Sequence, residues 1–502
     1  MESSLHDKPL VWYSQTGSPE SQSDCNCDCQ PACSPYGDVA FNSKLVPNLA
    51  SFDCEYILQQ ELVFVRLGKY LLVSNPTGSG RIVVLNKEAI ELLNLFRYPV
   101  KIENLLAETK IGLSGLSIRK LANLFLSLGF LKRANEKNEV VFLPNSEVLT
   151  IWLHVTNNCN LSCSYCFVEK SSENINLNVA KQVVAQVIHS AKINQFKRIR
   201  LKYAGGEPTI KIRDVFSIHD YAVEQANNEN IEIEAILLSN GVHISDWTID
   251  ELKRRNISVM ISLDGVGVMH DVQRKFINGM GSFERVVRTL EKLKNKDIVP
   301  HISVTVTNRN MAGLPDLVKY LLKKSLPFSL NYYRNPGTKL NDLSLDVDET
   351  IRTMRNVFKL IEDCLPKENL LGRLLDRANL SNVHKYTCGS GINYIAISHK
   401  GFLARCQMDV SKPIVNGGNR DIIGLLKNDS QRTNYPVDEK ETCQTCTWRY
   451  WCTGGCPITS YNTYGRFDIS SPNCSIYASL MPEVLRLEGL RLLKHTIPWS
   501  PY

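Results

Sequence analysis

A chain of 502 residues, 43% hydrophobic and 22% charged, has enough apolar surface to bury about three domain-sized cores. That composition excludes collagenous, mucin-like and wholly disordered architectures. The 58 basic and 51 acidic residues leave a formal net charge of +7, too diluted over this length to point to nucleic acid. No apolar run reaches the 18 or so residues a membrane helix needs. The longest candidate, Leu121 to Leu131, is interrupted by Asn123, Ser127 and Gly129. The N-terminus lacks a basic region followed by an apolar core, so no export signal and no membrane partner are expected, and the expected location is cytoplasmic.

Residues 1–55 are rich in Ser, Asp, Pro, Asn and Gln and read as a mostly disordered segment. They carry Cys25, Cys27, Cys29 and Cys33, for which a flexible tail without catalytic duty is expected. Residues 56–140 read as a compact winged-helix-like α+β unit. Its strands are expected at Glu61–Leu67, Lys69–Ser74 and Arg81–Asn86, its helices at Lys87–Phe96, Ile102–Glu108 and Ile118–Phe130. From 148 to 340, strand-like runs at Thr150–Val155, Ile199–Tyr203, Glu232–Ser239, Ile257–Leu263, His301–Thr307 and Phe328–Tyr333 alternate with amphipathic helices such as Val179–Ala191. Such repeats predict a parallel sheet, open or barrel-like, with its chemistry at the carboxyl ends of the strands. Residues 341–384 read as a helical linker. Periodicity weakens after about 375 while Gly and Cys rise, so 385–502 are expected to be held by something other than a large core, with a last helix near Ser475–Leu493.

Sixteen cysteines without an export signal belong in a reducing compartment, where thiols bind metal or do chemistry more often than they form disulfides. Three of them, Cys159, Cys163 and Cys166, follow the first strand of the repeat region. Three thiolates on one loop can hold three irons of a 4Fe–4S cluster and leave the fourth iron open. The alternative is zinc, for which this loop has no nearby His to complete four ligands.

This triplet resembles the signature of the radical S-adenosylmethionine (radical SAM) superfamily, and later segments match in order. Gly205-Gly206-Glu207 resembles the family motif that holds the methionine amino group, its glycines letting a ligand approach the backbone. Ser239-Asn240 ends the third strand; Ser262 and Asp264 end the fourth, with Arg274 beyond. By resemblance, these residues contact S-adenosylmethionine, Arg274 through its carboxylate. The fold implied is α/β, a partial (β/α)6 TIM-like radical SAM barrel between the winged-helix-like domain and a C-terminal Cys-rich domain. Seven further cysteines, Cys388, Cys406, Cys443, Cys446, Cys452, Cys456 and Cys474, resemble the SPASM extension of one branch, against a zinc ribbon as the generic alternative. The resemblance implies two auxiliary 4Fe–4S clusters, three clusters in all. Cys443, Cys446, Cys452 and Cys474 would hold the distal one; Cys388, Cys406 and Cys456 would hold the one nearer the barrel. No fourth thiolate is evident for the nearer cluster. Cys364 is expected to pack on its helix, and His384 is a candidate ligand or a solvated loop residue. Sulfatase-maturing relatives place a catalytic Asp after the second SPASM cysteine. Gln407 stands there, and an amide takes no proton at neutral pH. Asp409 lies two residues on in a segment read as strand-like.

The winged-helix-like unit resembles the peptide-recognition domains that precede maturases of ribosomally made peptides. By that resemblance a precursor's leader adds as a strand at Arg81–Asn86, against the helix Ile118–Phe130. The function implied is a peptide maturase installing a thioether or carbon–carbon cross-link, fed by a one-electron donor such as flavodoxin or ferredoxin. The alternatives are maturation of a protein, such as a sulfatase or an amine dehydrogenase subunit, and a non-catalytic iron–sulfur scaffold.

Overall fold

The structure, a computed structural model, describes residues 10–13, 54–108, 113–137, 140, 142, 147–335, 341–412, 415–416, 421–427, 433–498 and 500. Cys25, Cys27, Cys29 and Cys33 lie outside the described residues.

The N-terminal part runs β1 (Val11–Tyr13), β2 (Glu55–Leu58), β3 (Val63–Leu67), β4 (Tyr70–Ser74), β5 (Ile82–Leu85), α1 (Lys87–Asn94), β6 (Val100–Lys101), α2 (Ile102–Glu108), α3 (Gly115–Ser127) and β7 (Leu131–Arg133). The three expected strands form an antiparallel meander, Leu67 opposite Tyr70 and Ser74 opposite Ile82. The three expected helices are present, and α1 and α3 start where Asn86 and Ser114 accept the amides of Ala89 and Ser117. Sequence reading missed the small sheet β6-β2-β7, whose two- to four-residue strands are too short to show a period. It also missed β1, which pairs with β5 and so lies along the edge expected to receive a leader.

The central part runs β8 (Val148–Thr156), β9 (Leu161–Cys163), α4 (Leu177–Ile193), β10 (Arg198–Gly205), α5 (Ile212–Asn228), β11 (Glu232–Ser239), α6 (Asp246–Arg254), β12 (Ile257–Ser262), α7 (Val268–Asp271), β13 (Arg274–Phe276), α8 (Phe283–Asn295), β14 (His301–Val306), α9 (Leu314–Lys323) and β15 (Phe328–Tyr332). Six strands pair in parallel in the order β8-β10-β11-β12-β14-β15. Strands covered on both faces read as nearly continuous apolar runs, and β8 is buried from Leu149 to Thr156.

The last part runs α10 (Val347–Asp363), β16 (Tyr394–Ile397), β17 (Phe402–Ala404), β18 (Val415–Asn416), α11 (Ile422–Lys427), α12 (Arg449–Cys452), α13 (Pro457–Tyr464) and α14 (Cys474–His495). Here the expectation that residues 385–502 are held by something other than a large core is corrected. β16 pairs in parallel with β8, opposite β10, and β17 and β18 follow antiparallel, making one nine-stranded sheet. Ile395, Ile397, Leu403, Trp451, Tyr477 and Leu485 belong to the same apolar core as the barrel strands. Helix α14 covers one face of the N-terminal meander. A Cβ at Gly489 would stand 2.5 Å from Leu67 Cδ1 and 2.9 Å from Leu72 Cδ1, so only glycine lets the helix sit this close.

Candidate active site

Beyond Thr156 the chain turns at the carboxyl end of β8 into the loop carrying Cys159, Cys163 and Cys166. The short strand β9 pairs antiparallel with β13, which sets Cys163 opposite Arg274. Burial pushes the Cys163 thiol up to about 11, and the Arg274 guanidinium opposes this. Cys166 and Cys159 also act on that thiol, so the three sulfurs share one electrostatic neighbourhood.

The Gly205-Gly206 pair serves that loop directly. A Cβ at Gly206 would lie 2.2 Å from the carbonyl oxygen of Asn158; one at Gly205, whose φ is +141°, would lie 2.4 Å from that of Thr156. The Gly206 amide donates to Thr156 at 2.6 Å and the Glu207 amide to Asn158 at 2.8 Å. The glycines therefore clasp the chain's own cysteine loop, a reason different from the expected approach of a ligand. The buried Glu207 carboxylate accepts the Thr209 amide (3.1 Å) and hydroxyl (2.6 Å), the Ser239 hydroxyl (2.9 Å) and the Asn240 amide (2.7 Å). Asn240 Nδ2 donates to Asn160 Oδ1 at 2.7 Å and lies 3.8 Å from Cys159 Sγ. Glu207, Ser239 and Asn240 thus form one network that fixes the strand ends around Cys159.

Across the loop, Tyr165 donates to Asp264 Oδ2 at 2.6 Å and accepts from Arg274, which lies 3.6 Å from the same carboxylate. Asp264 Oδ1 accepts the Thr305 amide at 2.7 Å, and its backbone amide donates to His270 Nδ1 at 3.2 Å. Ser262 ends β12, in register with Ser303. Tyr165 was not singled out from the sequence, although it sits inside the cysteine triplet. The buried Arg274 keeps an Nε donor with no hydrogen-bond partner among the described residues. A buried guanidinium nitrogen is costly to leave unpaired, so the site suits an added carboxylate.

The second array comprises Cys388, Cys406, Cys443, Cys446, Cys452, Cys456 and Cys474. Burial raises the Cys452 thiol to about 12, and Cys443, Cys474 and Cys446 act on it. Burial likewise holds the Cys406 thiol well above its ordinary value, with Cys456 and Cys388 adding. Among the described residues no three His, Cys, Asp or Glu close around a single metal ion. Lys440, fully buried, lies between the sets: its Nζ donates to the Thr453 carbonyl (2.7 Å) beside Cys452 and to the Thr387 hydroxyl (3.2 Å) beside Cys388. Its only sequence signal was a position three before Cys443. An apolar cluster of Trp152, Ala204, Tyr394, Ala396 and Ala404, with Phe167 and Cys388 against it, joins the first cysteine loop to the second array.

Three expectations are corrected. Cys364 caps the end of α10 and is exposed, because the amphipathic period ends one residue earlier. His384 is buried rather than solvated, its backbone amide donating to the Tyr450 carbonyl, and burial lowers its pKa to about 4. Gln407–Asp409 is a 3-10 turn rather than a strand; the buried Gln407 amide oxygen accepts the Tyr394 hydroxyl at 2.5 Å.

A parallel α/β partial barrel with a three-cysteine loop at the carboxyl end of its first strand defines a class of cluster-bearing domain. Residues 153–321 match the family model of the radical SAM superfamily, and this part of the chain is a radical SAM domain. A protein of Methanocaldococcus jannaschii is 31% identical over 182 residues, 36% of this chain and 61% of that protein. The cysteine-type anaerobic sulfatase-maturating enzyme of Clostridium perfringens is 24% identical over 326 residues, 60% of this chain and 86% of the enzyme. The solved structure of native anSMEcpe with bound AdoMet and Cp18Cys peptide superposes with a TM-score of 0.58 at 20% identity, over 68% of this chain and 99% of that one. That likeness shows the fold. The superfamily implies a 4Fe–4S cluster and S-adenosylmethionine, and the thiol trio with the unpaired Arg274 donor fits both. No helix among the described residues is long and apolar enough to cross a membrane.

Proposed function

We propose that the chain is a radical SAM/SPASM maturase that installs a thioether or carbon–carbon cross-link in a ribosomally made precursor peptide. The observation that carries this reading is the adjacency of two sulfur arrays, the Cys159 loop and the Cys388 set, across one apolar cluster inside the sheet. When bound, a cluster and S-adenosylmethionine supply, after one electron from a flavodoxin- or ferredoxin-class donor, a 5′-deoxyadenosyl radical able to remove a substrate hydrogen. Cys159, Cys163 and Cys166 would hold that cluster. Arg274 would bind the methionine carboxylate, with Tyr165 and Asp264 fixing the guanidinium. Gly205, Gly206, Glu207, Ser239 and Asn240 keep the loop and the strand ends in register, and Ser262 lies at the same rim. Cys443, Cys446, Cys452 and Cys474, and Cys388, Cys406 and Cys456, would hold two auxiliary clusters, with the Lys440 ammonium between them. The peptide held by anSMEcpe supports a peptide substrate.

Maturation of a protein such as a sulfatase is the second reading, favoured by the Clostridium relative. Gln407 weighs against it, since its amide is committed to Tyr394 and takes no proton. Anaerobic reconstitution with dithionite and S-adenosylmethionine tests the chemistry. 5′-Deoxyadenosine well above a Cys159→Ala control is expected; none above that control supports the non-catalytic scaffold. Mass spectrometry of a co-expressed precursor peptide then reads the product, a loss of two hydrogens per cross-link.

A further inference from the structure

The edge of the meander that would accept a leader strand is already paired in this chain. β1 runs antiparallel to β5, with Val11 opposite Leu85, Trp12 opposite Val84 and Tyr13 opposite Val83. Asn86 clamps the start of the pairing: its Oδ1 accepts the Leu10 amide at 2.8 Å, and its own amide donates to the Leu10 carbonyl at 3.2 Å. Side chains alternate across the sheet, as the pleat requires. Trp12 meets Tyr70 edge to face at 5.2 Å and shares a core with Leu67, Leu72 and Val84. Val11 and Tyr13 face the other way, into the cluster that contains Leu121 and Phe125 of α3. Exposure is 0% for Val11 and 7% for both aromatic residues, so every side chain of this three-residue strand fills a made-to-fit position.

We propose that residues 10–13 are an in-cis occupant of a peptide-strand site, and that a precursor's leader gains the edge by displacing them. The inference deepens the peptide-recognition part of the reading above and rests on it. It also defines the leader chemically: an extended apolar–aromatic–aromatic run, antiparallel to β5, its middle residue against Tyr70 and its outer two against α3. The occupant is short enough to exchange. Burial of three side chains is opposed by the backbone ordering of each residue held. The difference is small, and tethering makes the segment a competitor at roughly millimolar effective concentration.

The test uses the full chain and a synthetic peptide of its own residues 7–16 as probe. A Trp12→Ser/Tyr13→Ser double variant is expected to bind this peptide at least tenfold more tightly than the unsubstituted chain. A peptide carrying Ser for both aromatic residues is expected not to bind. Equal affinity of the two chains for the probe, or no binding to a variant that keeps its thermal melting profile, overturns the proposal. Should the double variant not fold, hydrogen exchange on the unsubstituted chain decides. Millimolar probe is expected to deprotect the amides of residues 10–13 while residues 82–85 stay protected; continued protection of residues 10–13 overturns it. Neither readout involves cofactor chemistry, so a chain that binds the probe but forms no 5′-deoxyadenosine would sink the maturase reading and leave this one standing.

Discussion

Replacing Gly206 by alanine tests whether the glycine pair serves the cysteine loop. The added methyl would start 2.2 Å from the Asn158 carbonyl oxygen, whereas contacts under 3.0 Å are not tolerated, so the loop must retreat by about 0.8 Å or more. That retreat breaks two backbone hydrogen bonds, Gly206 to Thr156 at 2.6 Å and Glu207 to Asn158 at 2.8 Å. At about 1 kcal/mol each, with about 1–3 kcal/mol for overpacking, the cost is roughly 3–5 kcal/mol. It falls on the residues leading into Cys159. The assay is an anaerobic thermal melt of the iron-free chain beside iron content per chain after reconstitution. Gly279→Ala is the control: its φ is +84° but no atom lies within 4 Å of the added Cβ, so it registers backbone strain alone, about 1–2 kcal/mol. Gly206→Ala is expected to melt well below the control and to retain less iron. If the two variants melt together and load equal iron, the clasp argument is wrong.

Glu488, fully buried on α14, accepts from Arg491 at 2.8 and 2.6 Å and from the Leu370 amide at 3.3 Å. Glu488→Ala strands the guanidinium and should cost about 3–5 kcal/mol in denaturant unfolding; a loss under about 1 kcal/mol counts against the pairing. Burial lowers the pKa of His301 to about 3 and of His154 to about 4, so both stay neutral in the folded chain. Their unfolded forms bind protons first, so stability present above pH 6.5 is lost as pH falls toward 4, by about 3 kcal/mol or more per residue. His301→Gln should flatten that acid limb in pH-dependent melts, and an unchanged limb would refute the assignment. Lys440→Met removes a buried cation from between the two thiol sets. On the proposed reading of two auxiliary clusters, both their potentials should fall by something on the order of 100 mV in EPR-monitored titration, while unmoved potentials would deny the cation any electrostatic role.

How far the sequence reached depends on how local each determinant is. The six parallel strands were legible because the apolar period acts over a few residues, and the cysteine triplet and Gly205-Gly206-Glu207 because each is a short local run that resembles a family signature. The same holds for α14 and the helices of the N-terminal unit, found within a few residues of where they stand. What tertiary structure alone decided joins distant positions through backbone pairing, which leaves no side-chain pattern to read. Val11 meets Leu85, Cys163 meets Arg274, and Tyr394 meets Thr150 across a sheet that sequence reading had ended at β15. The Lys440 ammonium belongs to this second kind: its partners, Thr387 and Thr453, come together only when the Cys-rich segment folds onto the barrel core. The cysteines and their spacing were therefore written in the chain, whereas the company they keep, and the strand that closes the β5 edge, were fixed only by three-dimensional closure.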